Sequence, residues 1–394
     1  MSTGKSASKY QAPDSWQLWH HPNPESDGWE CLLYSDARLR APDGPHTVGP
    51  FEFWPTFVEP PPGVAAPRLV LRIPRAQPVL EWQEDGRKAG PSRDLLKRNS
   101  HWWLGTSVDD EVAALLSLAL GVRLRSGGLV RRFVNGGDAA GVPELHDHHA
   151  PTLAVPSHHR IMLPQLRNTH VRLAPGFERL RSLKFLSPTT AVELTKAAHE
   201  YASAVWIADE DAQSAWLHLV TAIEVVAVHT QVHKTNHVDL FAEAHPRVVE
   251  QLKSEGGLGA LPFIADQFAH LLIAGERFQR FAARYAPPAP QDRPQRENWR
   301  IDWDNLRPAL KTIYGYRSNL LHAGKPFPPM MVLGHPERDS NEAPAECPDS
   351  DTFFASGTAG WEPGKAPMYL WTFAYLVRGA LLKWWQEQVN TQST

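Results

Sequence analysis

Cysteine is nearly absent from this sequence: Cys31 and Cys347 are its only two in 394 residues, far apart and in no metal-site spacing. That excludes a disulfide-stapled scaffold and a cysteine-built metal centre, and it fits a reducing compartment. An excess of either charge is missing too. With a formal net charge of −3, the surface is not coated for nonspecific nucleic-acid binding, so any such contact must be local. Long apolar runs are also lacking. The closest, Met368 to Leu382, is interrupted by Arg378 and Gly379 and falls short of the about 18 residues that read as a membrane span. Met1-Ser2-Thr3-Gly4-Lys5 holds no apolar secretory core, so the expectation is a cytoplasmic protein with no membrane partner. No internal repeat is present.

What the chain has in quantity is hydrophobic and aromatic material, 42% and 10% of its residues, enough for the cores of two or three domains. Residues 1–15 are mostly small and polar and read as a disordered tail. From Trp16 to Arg75, aromatics mix with Gly, Pro and alternating runs such as Arg68-Leu69-Val70-Leu71-Arg72-Ile73, the signature of short strands and turns. Ser107, followed by Asp109, Asp110 and Glu111, opens a helix with Val112, Leu115, Leu116 and Ala119 on its apolar side. The glycine-bracketed stretch carrying Arg123, Arg125, Arg131 and Arg132 reads as a hairpin with a basic face.

Beyond about residue 185 the period turns helical, opening on Thr190-Ala191-Val192-Glu193 as a capping box. Further helices are predicted over about 210–229, with Trp216, Leu219, Val220, Ile223 and Val226 as a buried stripe, and over about 260–285. Another runs from near Asp304 to a stop at Gly324 and Pro326, and a last one covers about 368–389. Between them, 325–367 is rich in Pro, Gly, Ser and acids and shows no period; a loop that long is functional or disordered. The sequence therefore predicts an α+β protein, with a mixed region over 16–185 and a helical bundle over 186–394.

Chemistry is suggested at Tyr316-Arg317-Ser318-Asn319-Leu320-Leu321-His322-Ala323-Gly324. Arginine holds phosphate as a permanent forked cation and histidine moves protons near neutral pH, so the pair suffices to cleave RNA without metal. Five residues on an ideal helix subtend about 140°, too wide for one tight pocket within one chain. A dimer, or a helix unwound at Leu321, would bring Arg317 and His322 together. The plainer alternative pairs Arg317 with an acid such as Glu224 and leaves His322 to offset the helix dipole. Tyr316, Ser318 and Asn319 are supporting candidates, for orienting or stacking substrate.

Arg123, Arg125, Arg131 and Arg132 either track an RNA backbone by charge or form a solvated strand face. His146-Asp147-His148-His149, with His158-His159, offers zinc-type donors, but neighbouring histidines diverge and lie in a Pro-rich connector. No metal or cofactor is expected. Trp102, Trp103, Trp384 and Trp385 stack bases or, in the alternative, fill the core or a dimer interface.

Taken in order, the Trp216 to Val226 stripe with Ala222-Ile223-Glu224, a variable helical middle, the block Tyr314 to Gly324 and a terminal amphipathic helix resemble the Apea-like HEPN family. The resemblance covers roughly residues 190–394 and is strongest at Tyr316-Arg317-Ser318 and Leu321-His322-Ala323-Gly324. The family commonly shows an arginine-serine start and a histidine-glycine end; here Ala323 intervenes. The block Asp110 to Gly121 looks like the N-terminal portion often fused to such domains.

The resemblance implies a bundle that pairs with a copy of itself, bringing two motifs to one cleft, which in many such proteins cuts RNA. It casts Arg317 and His322 as the catalytic residues of a metal-independent endoribonuclease in a toxin or phage-defence role, leaving 2′,3′-cyclic phosphate ends. The wider ribonuclease pattern favours Asn, Asp or His directly after the arginine, where this chain has Ser318. A second expectation therefore stands beside the first: a non-catalytic HEPN dimerisation or sensor module that binds RNA, a nucleotide or a protein partner. A regulatory protein partner is compatible with both. A zinc hydrolase on the histidine cluster would need ligands from a second ordered element.

Overall fold

The computed structural model describes residues 13–20, 27–42, 44–56, 58, 63–74, 105–133, 140–144, 147–154, 161–166, 169–228, 230, 236–334, 336–338, 343–349, 354–356, 359–361 and 365–392. The fold is α+β and divides into two compact units, 1–215 with 384–394, and 216–383. The predicted change of character near 185 marks the start of a helix, Pro188–Ile207, that packs in the first unit.

Strands β1 (Gly28–Ser35), β3 (His46–Val48), β4 (Phe51–Pro55), β5 (Ala66–Pro74), β6 (Arg125–Phe133) and β7 (Val142–Pro143) make an antiparallel sheet in the order β3-β4-β5-β1-β6-β7. β2 (Arg38–Arg40) pairs in parallel with β8 (His170–Arg172). Alternation in the strands sorts their faces: Leu33, Leu69, Leu71, Ile73, Phe51 and Phe53 are fully buried. On the other face the register sets Glu52 opposite Arg72, Arg72 opposite Glu30 and Glu30 opposite Arg131, so charges alternate across four strands.

Helix α1 (Asp14–His20) begins inside the stretch expected to be a tail. Helix α2 (Val108–Leu120) contacts β5 and β6, with Ser107 capping the Asp110 N–H and Gly121 closing it at φ 68°. Nearly every α2 side chain is buried. Helices α3 (Ala174–Arg181) and α4 (Pro188–Ile207) both pack on α2. Gly176 permits the first contact, because a Cβ there would lie 2.7 Å from Leu120 Cδ2. The capping box expected at Thr190 is instead a cap by Ser187, whose hydroxyl accepts from the Thr190 N–H while Pro188 occupies the first turn. Cys31 lies fully buried in β1.

Helix α5 (Ala212–Ala227) contributes the predicted stripe to the second unit: Trp216 stacks with Phe373 at 4.9 Å and Phe327 at 5.7 Å, and its indole N–H donates to Met331 O. Short helices α6 (His237–Ala244) and α7 (Pro246–Ser254) precede the long α8 (Leu261–Tyr285) and share a small core around Phe241, Leu261 and Ala265. Helix α9 (Arg307–Ala323) packs on α8, where Glu276 accepts from Arg280 and Arg307.

The segment after Gly324 carries defined elements: α10 (Pro329–Val332) and a hairpin of β9 (Phe354–Ser356) and β10 (Ala359–Trp361), followed by α11 (Leu370–Gln392). Its anchor is Glu346, wholly buried, which accepts from Arg293 Nε and Nη2 at 2.7 Å, Ile301 N at 2.8 Å and Trp303 Nε1 at 3.2 Å. Cys347, half-buried beside it, points its thiol at Asn298 O.

Candidate functional site

Helix α9 buries Leu310 and Ile313, starts on Pro308 and ends where Gly324 takes φ 63°, its N–H reaching Leu320 O while the Lys325 N–H reaches Asn319 O. This end fixes the phase of the motif. Arg317 is half-buried and its Nη2 donates to Glu224 Oε2 of α5 at 2.7 Å. Tyr314, three residues earlier and hence on the same side, donates its hydroxyl to Glu224 Oε1 at 3.0 Å. The Arg317 Cζ lies 5.7 Å from the centre of the Tyr314 ring. Burial, then the Glu224 charge, pushes the Tyr314 hydroxyl well above the ordinary phenol range, so it stays a donor.

The remaining motif residues point elsewhere. Tyr316 donates to Lys365 O at 2.6 Å and packs near Phe327, and burial raises its hydroxyl too. Ser318 is half-buried, while Asn319, Leu321 and His322 are exposed. On this regular helix Arg317 and His322 stand about 140° apart. The structure thus brings Arg317 to Glu224, the pairing of the plainer alternative, and leaves His322 at the solvent end. Tyr314 was missed as a site residue, although its spacing from Arg317 was the signal that it shares the same partner.

The basic face over 123–132 needs correction. Arg123 is a core residue, 2% exposed, with Nε on Val205 O, Nη1 on Asp36 at 3.0 Å and Nη2 on Asp209 at 2.6 Å. It leaves the hairpin face because strand β6 starts only at Arg125. Arg131 faces Glu30 at 3.7 Å and Arg132 pairs with Glu144, so acids offset both. Arg125 lies over the Trp206 ring at 4.9 Å, and burial lowers its pKa against the opposing pull of Asp110. Little net positive charge is left for a phosphate backbone.

In the histidine cluster, His146, His158 and His159 lie outside the described residues, as do Trp102 and Trp103. His148 Nε2 meets the Tyr34 hydroxyl at 3.1 Å, whereas Asp147 and His149 are exposed. Gly127 makes that packing feasible, since a Cβ there would sit 2.6 Å from the Tyr34 ring. Among the described residues no three His, Cys, Asp or Glu side chains converge as a metal site. Trp384 and Trp385 are buried, the second with the Arg179 guanidinium 5.9 Å from its ring.

Among the described residues no single helix is long and apolar enough to cross a membrane. Comparison of the chain with protein-family models, curated proteins and solved structures found no match.

Proposed function

We propose that the helical part of the chain over residues 186–394 is a HEPN-type module whose α9 motif cleaves RNA without metal when two copies pair. The observation that carries this reading is an exposed imidazole, His322, in the last turn of a helix that also presents a half-buried guanidinium, Arg317, held by a single bond to Glu224. His322 takes the proton of a ribose 2′-hydroxyl as that oxygen attacks the adjacent phosphorus and the bond to the 5′-oxygen breaks. The proton is returned to that oxygen so that it leaves as a 5′-hydroxyl, and Arg317 steadies the charge that builds on the attacked phosphate. The resemblance over residues 190–394 supports the same assignment. Because the two side chains diverge by about 140°, each cleft takes its arginine from one copy and its histidine from the other.

A second reading has its own support. The ion pair between Arg317 and Glu224, with Ser318 following the arginine, suits a non-catalytic dimerising or sensing module in which Arg317 fastens α9 to α5. Incubation of purified wild type and His322→Ala with mixed RNA in EDTA separates the two. The ribonuclease reading expects wild-type cleavage with cyclic-phosphate ends and a loss of about 10²-fold or more in the variant. Intact RNA with both proteins favours the module that binds and does not cut.

A further inference from the structure

Tyr314 and Arg317 share one carboxylate, one oxygen each: the phenol takes Glu224 Oε1 at 3.0 Å and Arg317 Nη2 takes Oε2 at 2.7 Å. A carboxylate that faces an arginine alone tends to bind it as a fork, two parallel N–H···O bonds that use both oxygens. In that arrangement the donor edge of the guanidinium is spent. Here one oxygen is already occupied by a neutral donor. We propose that Tyr314 is a positioning residue for Arg317: by holding Glu224 Oε1 it keeps the arginine on a single bond and leaves the rest of its donor edge for a phosphodiester. The proposal rests on the ribonuclease reading and adds a residue that acts through Arg317.

The surroundings hold the phenol in this role. Its ring packs on Phe278 of α8 with centroids 5.2 Å apart. Gly275, one turn before Phe278, supplies the room, since a Cβ there would lie 3.1 Å from two ring carbons. The ring in turn lies beside the guanidinium, an attraction that favours the observed arginine pose over one swung toward Oε1. Glu224 sits at the edge of the buried stripe of α5, its side chain 20% exposed, and its two oxygens are held by the two donors themselves, Tyr314 on Oε1 and Arg317 on Oε2.

The test combines two readouts on full-length protein. The first is the rate at which phenylglyoxal modifies Arg317, followed by mass spectrometry without RNA; the second is KM and kcat for a single-stranded RNA oligonucleotide in EDTA. Tyr314→Phe keeps the ring and frees Oε1 for a fork. It is expected to slow labelling of Arg317 about three- to tenfold and to raise KM by a similar factor, with kcat falling less. Adding Glu224→Gln removes the carboxylate that would form the fork, so Tyr314→Phe/Glu224→Gln should regain both labelling and KM. A purely structural role for the pair predicts the opposite, accumulating losses in the double variant. Unchanged labelling in Tyr314→Phe, or no recovery in the double variant, overturns the clamp. Labelling that follows the pattern in a wild-type protein that neither binds nor cuts RNA overturns the ribonuclease reading, and with it the phosphodiester as the ligand of that edge.

Discussion

Glu111 is a carboxyl enclosed in α2 that accepts from the Ser15 N–H at 2.8 Å and thereby caps α1 from across the chain. Burial is the main cause that pushes it up to about 8, and the nearby Asp14 charge adds to the effect. A carboxyl whose folded pKa lies above its unfolded value of 4.5 holds its proton in the native state and loses it in the unfolded one over that interval. Stability from this group is therefore fully present below about pH 4.5 and is lost as pH rises toward 8. Glu111→Gln keeps the acceptor and removes the titration. Its stability relative to wild type should match near pH 4 and rise to an advantage on the order of 5 kcal/mol above pH 8, read by urea denaturation across pH. A parallel pair of profiles would remove Glu111 as the cause. Arg123 makes the opposite case, a buried cation between Asp36 and Asp209. Arg123→Met strands two buried carboxylates and should cost about 3–5 kcal/mol in the same measurement.

The elements with long, regular apolar periods were legible in the sequence: α2, α4, α5, α8, α9 and α11 stand within a few residues of their predicted ranges. Those that were missed are short. α3 carries Gly176 inside eight residues, α6 and α7 are split at Pro246, and α1 consists largely of bulky and polar residues whose order depends on a cap 96 positions away. At the site, the pairing of Arg317 with Glu224 was foreseeable as a charge seeking its opposite. The burial of Arg123 was not, because its two acids arrive from a turn after β1 and from the end of α4. The order of the segment after Gly324 was hidden for the same reason. It depends on Glu346, whose donors sit 43 to 53 positions earlier. Glu346→Ala should leave the Ile301 and Trp303 N–H groups and the half-buried Arg293 without their acceptor and destabilise the second unit by about 2–3 kcal/mol, seen as a lower denaturation midpoint. A shift equivalent to less than 1 kcal/mol would mean that water replaces the carboxylate there.

At the scale of the whole molecule, the proposed cleft shared by two copies makes a quantitative forecast. Arg317→Ala and His322→Ala proteins, each inactive alone, should complement when mixed and allowed to exchange subunits. Half of the dimers are then mixed and one of their two clefts is intact, so about a quarter of the wild-type cleavage rate should return. No recovery despite proven exchange would place arginine and histidine in one chain's own site. One of the two scarce cysteines also acquires a use at this scale. Cys31 is enclosed in the first unit, where burial is the leading cause that raises its thiol, so it is unreactive while its surroundings stay closed; Cys347, half-buried in the second unit, is not shielded in this way. The first unit therefore contains a built-in clock: the pace at which a thiol reagent captures Cys31 measures how often that unit opens, without any label having been introduced.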